Sequence, residues 1–118
     1  MAGEGKLGVC AKRGKFGRAF AVDGSDDYST IPDVTGVTDF AYNENFSVSF
    51  WVYNGSGNAD GDAIIEKWAG TGGYPYAFRY GASNNVYMGR YDGTNNPTVV
   101  GTKAINDSAW HHVVGVKD

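Results

Sequence analysis

Three carboxylates crowd one short stretch of the chain, Asp23, Asp26 and Asp27 within AFAVDGSDDYSTIP, Ala19 to Pro32. A hard cation such as Ca2+ needs several oxygens at once, and an acidic turn with its own carbonyls supplies them. A glycosidase needs two carboxyls ~5–10 Å apart on either side of a sugar bond, and near-adjacent acids on one turn are not a natural way to straddle it. The glutamates Glu4, Glu44 and Glu66 stand far apart in the chain, so no catalytic acid pair on one strand is readable. The expectation is therefore that the protein is not an enzyme. A third reading is architectural: Asp23-Gly24 turns a hairpin corner while Asp26 and Asp27 cap its amides. Both the corner and a calcium site stay open, with Asp23, Asp26 and Asp27 as candidate ligands.

A second group of residues suits recognition. Trp51, Tyr53, Tyr80, Tyr87 and Tyr91, with Arg79 and Arg90, are the candidate ligand-binding residues, and Tyr74, Tyr76 and several asparagines lie near them in sequence. Sugar rings present apolar C–H faces that stack on aromatic rings, and their hydroxyls pair with Asn, Asp and Arg. Tyrosine is also a good strand residue, half apolar and half polar, so packing competes with binding for each ring. His111 and His112 are adjacent, and alternation along a strand aims them at opposite faces, away from any shared ion. No Ser-His-Asp arrangement is readable from spacing. Cys10 is the single cysteine, which excludes an internal disulfide and a cysteine-based zinc site.

The elements that must carry these residues read as strands. In FSVSFWV, Phe46, Val48, Phe50 and Val52 share one face, and Ser47, Ser49 and Trp51 the other. Phe16–Val22 alternates likewise, with Phe16, Phe20 and Val22 inward, and Tyr28–Ile31 is expected to return after the acidic turn. Ala63–Trp68, Tyr76–Tyr80, Val86–Tyr91 and His111–Lys117 are the remaining strands. Between them lie Asn54–Asn58, Gly70–Gly73, Gly81–Asn85 and Asp92–Pro97, all rich in turn residues. With 18 glycines, 3 prolines and no long helical period, 118 residues amount to one all-β domain. An antiparallel sandwich or barrel follows, with 1–15 as an irregular segment or edge strand and 16–118 as the domain.

Three stretches in this order, GKFGRAFAVDGSDDYSTIP, FSVSFWV and WHHVVGVKD, resemble laminin-G-like, concanavalin A-like jelly-roll domains. IIEKWAGTGGYPYAFRY between the last two is similar to the matching segment of that family. The resemblance spans roughly residues 14–118 and implies a jelly-roll β-sandwich serving non-catalytic recognition or adhesion. It also raises calcium at a loop rim, and implies extracellular carbohydrate or a protein surface as ligand. Members usually begin with a further strand and continue past the Asp of the WHHVV segment, so the sandwich is expected to be incomplete at both ends. Open strand edges and an uncovered apolar face then favour self-association. The competing class is a structural building block of a virion or surface layer.

Charge and hydropathy narrow the partners. The net charge of −3 argues against nucleic acid, although Lys6, Lys12, Arg13, Lys15 and Arg18 gather near the start as a solvated basic segment. No apolar stretch approaches the ~20 residues of a membrane span. The first residues lack the apolar core of a signal peptide, so either the chain is not exported in this form or it is a piece of something longer. The family resemblance implies an extracellular, virion or cell-surface setting as part of a larger protein.

Overall fold

The computed structural model describes residues 10–32, 38, 40–41, 43–67 and 73–118. Among them there is no helix, and all strand pairs are antiparallel. The chain divides into two compact units, Met1–Thr38 and Asp39–Asp118.

In the first unit, β1 (Cys10–Arg13) pairs with β2 (Arg18–Ala21) from Cys10↔Ala21 to Arg13↔Arg18. The turn closes with Gly14 N–H donating to the Gly17 carbonyl at 2.9 Å, and Gly17 takes a positive φ of 64° that side chains disfavour. The hairpin corner thus lies at Gly14–Gly17, and not at Asp23-Gly24. Tyr28–Ile31 forms no strand. The physical reason is local: Asp23 and Asp27 carboxylates take up backbone N–H groups of their own turn, offering that backbone an alternative to a ladder. Of the expected strand Phe16–Val22 only Arg18–Ala21 is extended and paired, so Phe16 falls in the turn and Val22 after the strand; Phe16, Phe20 and Val22 are 73, 76 and 59% exposed instead of buried. Residues 10–13, placed in the irregular or edge segment, form β1 of this two-stranded hairpin; residues 1–9 lie outside the described residues.

The second unit is two facing layers. Nine-residue β3 (Phe46–Asn54) pairs along its whole length with β8 (Ala109–Lys117), from Phe46↔Lys117 to Asn54↔Ala109. The other layer runs β4-β5-β6-β7, formed by Ala63–Lys67, Tyr74–Tyr80, Val86–Tyr91 and Thr98–Val100. Alternation in β3 turns Phe46, Val48 and Phe50 inward, where they meet Phe78 and Met88 of β5 and β6. The Phe50 ring stands edge-on to Phe78 at 5.2 Å and 87°. Buried Gly115 of β8 lets the layers close: a Cβ there would lie 2.5 Å from Phe78 Cζ and 2.6 Å from Met88 Sδ.

Turn chemistry fixes the sheet's order. Asn84 takes φ 56° in the β5–β6 turn, its carboxamide oxygen accepts from Asn58 N–H, and its carbonyl accepts from Ile105 N–H. One asparagine therefore ties three loops together. After β6, Asp92 accepts from the N–H groups of Thr94 and Asn95, turning the chain into β7. That short strand was not legible in sequence, because Thr98-Val99-Val100 is too brief to show a period. Trp68, placed at the end of a strand by its sequence, lies outside the described residues.

Candidate functional site

Register decides which candidate residues meet. Tyr74 opposes Tyr91 and Ala77 opposes Gly89, so three steps along β5 match two along β6. This bulge puts Tyr74 on the same outward face as Ala77, Arg79, Tyr87, Gly89 and Tyr91. Ala77 and Gly89 are small and buried, and form a floor on which Tyr74 and Tyr87 lie. Arg79 donates through Nε and Nη2 to one carboxylate oxygen of Glu66, Oε2, at 2.9 and 2.7 Å. Its guanidinium sits 5.7 Å from the Tyr74 ring centroid, with Tyr87 close enough to influence its charge. The Tyr74 hydroxyl donates to Asn96 Oδ1 at 3.0 Å, and the Tyr74 and Tyr91 rings are 6.1 Å apart.

The electrostatics follow from this wiring. Desolvation pulls the Arg79 guanidinium down, but the hydrogen bond and charge of Glu66, joined by Tyr87, outweigh it and leave the group above its ordinary range. Arg79 is thus a fixed cation held against the Glu66 carboxylate. Of the sequence candidates, Arg79, Tyr87 and Tyr91 come together here. Glu66 was legible only as an isolated glutamate; its pairing with Arg79 across a hairpin, opposite charges flanking the glycines at 70 and 72–73, was the available signal.

The other candidates lie elsewhere. Tyr80 is only 8% exposed, and burial, followed by the nearby Asp62 charge, pushes its hydroxyl pKa up. Alternation along β5 places Tyr80 on the face shared with Phe78. Arg90 alternates with Gly89 and Tyr91 and so projects on the opposite face of the sheet. Trp51 and Tyr53 belong to the other layer, on the outer face of β3. They are 40 and 52% exposed, with Trp51 stacked on His112 at 5.0 Å and Tyr53 tilted on Trp110 at 5.5 Å.

The histidines separate as their alternation requires. His112 bonds Ser49 at 2.7 Å on the outer face, whereas His111 bonds Asp107 at 2.6 Å on the other side of β8. Ser49, His112, His111 and Asp107 therefore form two separate pairs and no proton relay. The Asp107 carboxyl is held below its usual range, chiefly by the His111 bond and then by the charges of His111 and Lys103. Glu44 accepts from the Ala41 N–H and closes a turn, so it does not pair with Glu66.

Asp23, Asp26 and Asp27 each bring a carboxylate oxygen to within 4.8 Å of the others. Ca2+ holds 6–8 oxygens at about 2.3–2.6 Å, and two oxygens on one ion are then at most ~5 Å apart. The three carboxylates fit as part of such a shell. Two of them already serve the turn: Asp23 Oδ1 accepts from Ser25 N–H at 2.8 Å, and Asp27 Oδ2 accepts from Asp23 N–H at 3.2 Å.

A family model described as the concanavalin A-like lectin/glucanases superfamily, of the laminin G type, matches residues 23–118, and the chain belongs to that family. Comparisons with curated proteins and with solved structures return no match. Domains of this family are typically non-catalytic, extracellular or surface-associated, and often bind Ca2+; the wider superfamily includes glycosidases. Family membership marks the chain as a carbohydrate- or protein-binding module.

Proposed function

We propose that the protein is a non-catalytic recognition or adhesion module for extracellular carbohydrate, working within a larger surface protein, and that the outer face of β4–β7 is its binding face. The observation that carries this reading is the Glu66–Arg79–Tyr87 network beside Tyr74 and Tyr91, over a floor of Ala77 and Gly89. It combines ring faces for C–H stacking with oriented donors and acceptors for hydroxyls. A glycan array with and without calcium, run beside the Tyr87→Ala variant, tests it. Binding that falls at least tenfold in the variant supports the reading, and uniform silence on the array removes it.

A second reading rests on a different face. Trp51, Tyr53, Val114 and Val116 are exposed together on the outside of β3–β8, a sheet of two strands whose outer edges are unpaired among the described residues. Exposed apolar surface beside open edges favours self-association, as in an assembly protein or against a protein ligand.

A further inference from the structure

Among the described residues, the proposed binding face sets one charge of each sign against the other, Arg79 against Glu66 at 2.7 Å. We infer that it selects uncharged polyhydroxylated ligands, neutral glycans, over glycans bearing carboxylates. This rests on the reading of β4–β7 as the binding face and names the ligand class of that face. Arg79 spends two N–H groups on Oε2 of Glu66, at 2.9 and 2.7 Å, and reaches Tyr87 as well. A ligand carboxylate would have to compete with Glu66 for that fork, because a second anion beside the first is repelled.

What the pair leaves available suits hydroxyls. Both Arg79 bonds end on Oε2, so Oε1 of Glu66 keeps its capacity to accept. The side chains of Arg79 and Glu66 are 24 and 31% exposed, enough to be reached but not freely rotating. At the far side of the face, Asn96 accepts from Tyr74 through Oδ1, and its Nδ2 remains a donor. From β4 to β7 the face is three strand spacings wide, about 14 Å. A chain of several sugar rings matches that span better than a single one, with the Tyr74 and Tyr87 rings between for stacking.

Two variants and salt dependence test the inference on the whole chain. Matched pairs of oligosaccharides, neutral and uronate-containing with the same linkage, serve as probes after the array has identified a binding backbone. The parent protein is expected to prefer the neutral member at least tenfold, with an affinity that does not change between low and high salt. Glu66→Gln removes the anion that opposes a ligand carboxylate beside Arg79, so the uronate member should gain at least tenfold and acquire salt dependence. Arg79→Ala should weaken both members without creating that gain. Because the pair is partly exposed, both variants should retain the parent's melting temperature within a few degrees, which separates lost binding from lost folding. A parent protein that prefers the uronate member, or a Glu66→Gln variant with unchanged preference, overturns the charge-neutral selection while leaving glycan recognition intact. Absence of binding to any glycan overturns both.

Discussion

A single methyl group at position 115 should be enough to push the two layers of the second unit apart. The Cβ of Gly115→Ala would fall 2.5 Å from Phe78 Cζ, 2.6 Å from Phe78 Cε1 and 2.6 Å from Met88 Sδ. Non-bonded carbons rest at ~3.5–4.0 Å, so each contact is about 1 Å too short. Met88 is flexible and can give way, but Phe78 is 1% exposed and its ring is held edge-on by Phe50. Overpacking of this kind costs about 1–3 kcal/mol, while replacing a strand glycine with alanine returns about 0.5–1 kcal/mol. The net expectation is a loss of about 1–2 kcal/mol, with Tm falling ~4–8 °C for each kcal/mol in a domain near 100 residues. Urea unfolding followed by far-UV circular dichroism should show an earlier midpoint at unchanged slope. Combining Gly115→Ala with Met88→Ala opens space beside the new methyl, so the double variant should lose less than the sum of the two single losses. A Gly115→Ala protein as stable as the parent, or strict additivity in the double variant, would refute the close approach of β8 to β5 and β6.

Other outcomes follow from the same coordinates. The Asp107 carboxyl is held below its ordinary range, so its contribution to stability is complete above the unfolded value of ~4 and disappears as pH falls through the lower folded value. Asp107→Asn should therefore lower Tm at neutral pH and converge with the parent in acid; parallel melting curves at every pH would rule this out. If Asp23, Asp26 and Asp27 hold calcium, the ion at a hundred times its Kd stabilises by about 2.7 kcal/mol, a gain that chelator removes and Asp26→Asn diminishes. Identical melts with calcium and with chelator would leave the cluster as turn chemistry alone. Should the β3–β8 face mediate self-association, Val114→Lys together with Val116→Lys should shift light scattering toward the monomer. A parent that stays monomeric at every accessible concentration would discard that second reading.

Period-2 patterning along Phe46–Val52, Val86–Tyr91 and the stretch from His111 was enough to assign strands and the inward face of β3, because neighbouring side chains on a strand diverge by local geometry alone. The same logic separated His111 from His112. Likeness of several ordered stretches to the laminin-G-like family was also legible, and the family match over residues 23–118 agrees with it. What local pattern cannot contain is register. The bulge between Tyr74 and Ala77 turns Tyr74 outward, and pairing across a hairpin joins Glu66 to Arg79. Sheet membership divides Trp51 and Tyr53 from Tyr87 and Tyr91, and packing withdraws Tyr80. In the first unit the strand is shorter than the pattern implied, leaving Phe16 and Val22 outside it, and the expected burial is absent, since a sequence pattern says nothing of what covers a face. The residue types and their spacing thus determined the strands. Which rings and charges converge was decided by hydrogen-bond pairing between segments distant in sequence, a long-range choice that only the folded chain makes.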